Sequence, residues 1–186
     1  MPKLKILQDE DPIDPRKNDN LGTMVCWHKR YKLGDVQLKS REAIQDLLAS
    51  LTKDDVDLTL RLYDHSGITM SIGNNYPFND VWDSMEVGII YVKADKIKAE
   101  YGEDKDSKEK AKKYLQCEVE EYDNYLTGNV WGFVIYEEKI CDCCGHKSEE
   151  VLDSCWGFNG NSKECVKEAL DIARANKWEI ENKDEF

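Results

Sequence analysis

The chain has no stretch of 18 apolar residues, and its opening, MPKLKILQDEDP, carries no apolar run of the kind that drives secretion. A membrane span is therefore not expected, and the cytoplasm is the expected compartment. Gly-rich phosphate loops, a nucleophile elbow and tandem repeats are all absent. Positive charge is in deficit: 26 basic side chains face 38 acidic ones, a net charge of −12. Such a surface repels phosphate, so direct nucleic-acid binding is disfavoured unless a local basic patch overrides the net field. The same charge suits docking onto a basic surface of another protein, or simply keeps the chain soluble. Cysteine is not scarce, but seven of them, an odd number without a secretion signal, argue for reduced thiols rather than a disulfide framework.

What is present is enough for a core. With 186 residues, of which 40% are hydrophobic, one domain is the default. Residues 4–7 read as an edge strand and 23–28 as a buried strand. Ser40 caps a helix whose Ile44, Leu47, Leu48 and Leu51 fall on one face. Leu58, Leu60 and Leu62 alternate with polar residues, as do Ile68, Met70 and Ile72, and the turn DHSG between them predicts a hairpin. VGIIYV at 87–92 reads as a central strand, and residues 93–101 as a helix stopped by Gly102. A charged helix starts near Ser107. Its end is ambiguous: Ala111, Leu115 and Val119 sit at helical spacing, but the turn Thr127-Gly128-Asn129 and the strand VWGFVIY after it favour reading CEVEEYDNYL as a strand, which gives a second hairpin. A strand over 151–158 and a helix from Ser162 to Lys177 complete the chain. The expectation is an α+β single domain over 1–186. Its mixed or antiparallel sheet is built from hairpins and flanked by three or four helices, with 1–13 and 179–186 peripheral.

Three blocks are too peculiar to be core filler: NDNLGTMVCWHKRYKLGD at 18–35, VWDSMEVGIIYV at 81–92, and YDNYLTGNVWGFVI at 122–135 taken with DSCWGFNG at 153–160. Together they resemble an uncharacterised family of small bacteriophage and prophage proteins, from whose usual form the chain departs at Asn18, Met85 and Asn159. The resemblance implies a context, a protein made in an infected or lysogenic bacterial cell; that context and the acidic charge together make a host protein the expected partner. It supplies no catalytic residues. The cluster CDCCGH lies outside the blocks.

Several residue sets could carry chemistry. Cys141 and Cys144 have the C-x-x-C-G spacing of a zinc knuckle; with His146 or Cys143, and with Cys155, they would complete a structural zinc site, and otherwise they form a loop of free thiols. Cys26 and His28, two apart on a strand, could form a nucleophile and base, oriented by Asp83, Asp153 or Asp19, or could be a buried cysteine beside a hydrogen-bonded histidine. Asp35, Asp80, Asp83 and Asp153 suit a hard cation by type but follow no metal motif, and local turn bonds explain them as well. Trp27, Trp82, Trp131 and Trp156, with Tyr31, Tyr91 and Tyr136, would line an aromatic groove or fill a sheet core. Trp82, Asp83, Asp153 and Trp156, in the two Asp-Ser segments, are the expected interaction surface. These readings define three functions. The first is a host-protein binder, such as an anti-CRISPR or anti-restriction inhibitor. The others are a small Cys/His- or Asp-dependent enzyme acting on a nucleotide or small molecule, and a zinc-stabilised interaction module.

Overall fold

The structure, a computed structural model, describes residues 1–73 and 83–181. In chain order its strands are β1 (Lys3–Gln8), β2 (Thr23–Cys26), β3 (Val36–Gln37), β4 (Val56–Asp64), β5 (Ile68–Ile72), β6 (Ser84–Val92), β7 (Val130–Ile140) and β8 (Lys147–Asn159). The helices are α1 (Arg41–Ser50), α2 (Ala94–Tyr101), α3 (Ser107–Thr127) and α4 (Ser162–Ala175). The architecture is α+β. It divides into two compact units, one made of Met1–Ile13 with Gly128–Phe186 and the other of Asp14–Thr127.

The Asp14–Thr127 unit is a five-stranded mixed sheet in the order β3-β2-β6-β4-β5. The apolar run of β6 is central, with Val87, Ile89, Ile90 and Val92 buried. Helix α3 packs against β4 and β5, burying Ala111, Leu115, Val119 and Tyr122 along one stripe. Its Asp123 accepts the Met70 amide of edge strand β5 at 2.6 Å, and the Tyr122 hydroxyl accepts the Gly34 amide at 3.0 Å. The expected strand at 117–126 is therefore the second half of a 21-residue helix. The helical spacing of Ala111, Leu115, Val119 and Tyr122 carries on to the end of the segment, and Glu118 is buried with them at 4% exposure. The second hairpin is formed instead by β7 and β8. Helix α1 starts at Ser40, whose hydroxyl accepts the Ala43 amide at 3.1 Å. None of its residues is buried.

Glu118 is buried because Arg16 is buried with it. The Arg16 guanidinium donates to Glu118 Oε2 at 2.8 Å, to both Asp35 oxygens at 2.9 and 2.7 Å, and to the Gly22 carbonyl at 2.8 Å. The backbone amides of Leu21 and Gly22 donate to Glu118 Oε1 at 2.7 and 3.1 Å, and the Met24 amide donates to Asp35 at 2.7 Å. Burial alone would lower the Arg16 pKa, but its hydrogen bonds to Asp35 and Glu118 outweigh it and raise it.

The other unit is an antiparallel sheet in the order β1-β7-β8, with α4 packed on one face. Leu4, Phe133 and Ile135 bury against Cys165, Ala169 and Ala173 of α4. Residues 1–13, expected at the periphery, thus supply a core position, Leu4 at 1% exposure, although β1 is indeed an edge strand. Ile180 is also buried, and the Glu181 amide donates to the Pro2 carbonyl at 2.9 Å. The cap of α4 is Asn161, one residue before the expected Ser162; its side chain accepts the Lys163 amide at 2.9 Å. On the sheet face away from α4, the Trp156 ring lies directly over Gly132. A Cβ at 132 would meet that ring at 2.1 Å, so this position requires glycine by close approach.

Two expectations follow. Arg16→Met leaves Glu118 buried without its cation and should cost about 3–5 kcal/mol in urea unfolding, part of it recovered by adding Glu118→Gln. A loss below about 1 kcal/mol would show that the network is not structural. Asp55, whose carboxylate accepts the Thr52 and Ala94 amides at 2.8 Å each, is pushed up by burial but held down more strongly by these bonds and by Lys93, to about 2. A folded pKa below the ordinary value gives stability that is whole above pH 3.8 and is lost as pH falls towards 2. Asp55→Asn should flatten the stability–pH curve in that window.

Candidate functional site

The β7–β8 hairpin ends in the cysteine cluster. The Cys141 amide donates to the His146 carbonyl, and the Gly145 amide to the Cys141 carbonyl, both at 2.8 Å. Gly145 closes the turn at φ 68°, a conformation that costs glycine nothing. The turn gathers the sulfurs of Cys141, Cys143 and Cys144 to within 4.8 Å of one another, with Cys141 Sγ and Cys143 Sγ 3.0 Å apart. The Cys143 thiol, then the Cys143 backbone N–H, then the Cys144 groups hold the Cys141 thiol down to about 7. Cys143 moves the other way, raised first by its side-chain hydrogen bond with Cys141 and then by that with Cys144. Three sulfurs converging on an exposed turn, one of them ionised near neutral pH, form a donor set for a soft or borderline metal such as zinc.

This set overlaps only in part with the expected one. Cys141 and Cys144 are members and Cys143 is the third. His146 adds its backbone to the turn, but its side chain lies outside the group. Cys155 pairs with Phe133, while the end of the ladder is Ile140 opposite Lys147. At about 3.4 Å per residue it sits roughly 25 Å down the strand and takes no part.

Cys26 and His28 are not placed for nucleophilic catalysis. Cys26 is 0% exposed, and burial first, then the Asp35 charge, pushes its thiol up to about 12. His28 lies beyond the end of β2. Its Nδ1 accepts the Arg30 and Tyr31 amides at 3.2 and 3.0 Å, which makes it the pin of a tight turn.

The aspartates scatter. Asp35 is bound to Arg16, Asp83 pairs with His65 Nδ1 at 2.8 Å, and Asp153 accepts its own neighbour's amide, Ser154, at 2.7 Å. Asp80 and Trp82 lie outside the described residues. Trp156 is 45% exposed, but Asp153, three residues earlier in an uninterrupted ladder, projects from the opposite face of β8. The two do not share one surface. Trp131 is packed against the α4 core, its indole N–H donating to Asn129 at 2.9 Å.

One feature was missed. Trp27, His28 and Tyr31 line a cleft of about 900 Å³. The signal was present in residues 27–41, which hold five cations and one carboxylate in a chain of net charge −12.

Among the described residues no helix is long and apolar enough to cross a membrane. No protein-family model, curated protein or solved structure matches the chain.

A thiol titration in the presence of chelator checks this geometry. Cys117, Cys141, Cys143, Cys144 and Cys155 should react in the native protein, with Cys141 first at neutral pH, and Cys26 and Cys165 only after unfolding. Early modification of Cys26 would contradict the arrangement.

Proposed function

We propose that the protein is a non-enzymatic accessory protein of a phage or prophage that acts by binding a host protein. An anti-defence role, such as inhibition of a CRISPR or restriction enzyme, is the sharper form of this reading. The observation that carries it is β8. This 13-residue edge strand pairs, among the described residues, on one side only, with β7, and is exposed along most of its length. Such an edge is a template for an added strand. It carries Val151 at 58% and Trp156 at 45% exposure, an apolar anchor of the kind that forms a binding hot spot. Residues 137–153 add six carboxylates against two lysines, which suits a Lys/Arg-rich partner surface. Glu149 and Glu150 are held by Lys5 and Lys139, but such exposed pairs are weak and yield to a partner's cations.

The three-thiol turn favours a second reading, in which zinc rigidifies the hairpin tip of the same binding module. Cys141, Cys143 and Cys144 would hold the ion, with the fourth position filled from outside the group.

Capture from lysate of the host bacterium, with the wild type and with a Glu137→Lys/Asp142→Lys/Trp156→Ala variant side by side, tests the first reading. A host protein retained by the wild type, lost by the variant and released by rising salt is expected. Identical retention by both chains, or retention indifferent to salt, would sink it. Metal analysis tests the second: about one zinc per chain, lost in Cys141→Ser/Cys144→Ser, is expected. A metal-free chain purified under reducing conditions with zinc supplied would exclude it.

A further inference from the structure

The cleft beside Trp27 concentrates positive charge in this acidic chain. Lys29, Arg30, Lys32, Lys39 and Arg41 line it, and among the described residues no carboxylate does. Four of these cations, all but Arg30, have no ion pair or hydrogen bond among the described residues. The single carboxylate of the stretch, Asp35, is already neutralised by Arg16. The positive field of the cleft is therefore uncompensated from within its own loop.

The loop is also pre-organised. Gln37 donates to the His28 carbonyl at 2.7 Å and accepts the Leu33 amide at 3.3 Å, and the Leu38 amide donates to the Cys26 carbonyl at 2.8 Å. Leu33 is buried at 3% exposure. Tyr31 is held by its hydroxyl, which donates to Asp64 at 3.0 Å, and stacks on His28 with centroids 5.0 Å apart. Because His28 Nδ1 accepts two amides, the ring proton sits on Nε2. That N–H belongs to a side chain 8% exposed, lines the cleft and has no partner among the described residues. The donor opens onto the cleft, where an incoming acceptor can take it. Trp27 completes the site: its half-buried indole has neither a stacking partner nor an acceptor for its N–H among the described residues. Leu38 and Ile44 give the wall an apolar side.

Anionic oxygens and a flat aromatic ring are what such a lining recognises, and the cleft volume falls in the range of small-molecule sites. We propose that the cleft between the Trp27–Lys39 loop and the start of α1 binds a nucleoside polyphosphate. The base stacks on Trp27, the phosphates face the four unpaired cations, and the neutral His28 Nε2–H supplies a fixed donor. The first turn of α1, capped by Ser40 and carrying Arg41 into the lining, adds its dipole to the same field. The site lies wholly within the Asp14–Thr127 unit, so its failure would leave the reading of the β8 edge untouched.

Calorimetric titration of the full chain with ATP, GTP, adenosine and inorganic tripolyphosphate tests it. A nucleoside triphosphate should saturate one site per chain, with adenosine and tripolyphosphate each at least about tenfold weaker. Lys39→Gln/Arg41→Gln, at two exposed positions, should weaken ATP about tenfold. Trp27→Leu should weaken ATP about tenfold and leave tripolyphosphate unchanged. Melting curves establish that each variant is folded. No saturation by either nucleotide in the folded wild type overturns the proposal. So does tripolyphosphate binding as tightly as ATP, which would make the cleft an unspecific anion patch. A short single-stranded oligonucleotide that outcompetes ATP would replace it with nucleic-acid binding.

Discussion

The Asp14–Thr127 unit depends on one buried guanidinium. Arg16 reaches three segments at once: the Gly22 carbonyl on the approach to β2, Asp35 beyond the cationic loop, and Glu118 in the middle of α3. Each carboxylate in turn orders backbone amides, Glu118 those of Leu21 and Gly22 and Asp35 that of Met24. Two carboxylates around one cation would be expensive to bury apart, and together they satisfy one another. Such a network favours one register over others more than it adds stability. Here the register is that of β2 against β6 and of α3 across the sheet.

This network accounts for much of the unusual stretch at 14–35. Asp14 caps the turn that presents Arg16, Asn20 donates to the Pro15 and Asn18 carbonyls, and Gly22 brings its amide to Glu118. Residues that resemble active-site chemistry in the sequence are thus mostly a lock. Cys26 is the innermost of them, and its thiol is held out of reach by the same packing. The lock also leaves the next segment, 27–33, as a loop with both ends fixed, which is the condition for displaying cations and an indole in a defined arrangement.

The parts of the fold legible in the sequence are those decided locally. The α1 stripe, the β4–β5 alternation with its DHSG turn and the apolar run of β6 each carry a period or a turn that needs no distant partner. What was misread depended on residues far away in sequence. The segment 117–126 read as a strand because the turn at 127–129 and the strand after it outweighed the helical spacing of Ala111, Leu115 and Val119, while the cation that buries Glu118 lies 102 positions earlier. Cys155 looked near enough to join the cluster because sequence distance does not reveal that both arms of the hairpin continue as strand for many residues. Asp153 and Trp156 looked like one surface because their spacing was read without the two-residue alternation of a strand.

Net charge hides local fields. A value of −12 describes the mean field, which disfavours phosphate unless a local basic patch overrides it. The sum conceals +4 in residues 27–41 and −4 in residues 137–153. Within roughly a Debye length, about 8 Å at physiological salt, a ligand responds to the charges lining its own site and little to the rest. An acidic chain can therefore present a cation-lined cleft in one unit and an acidic edge strand in the other. Each recognises a different partner chemistry, and neither is contradicted by the total.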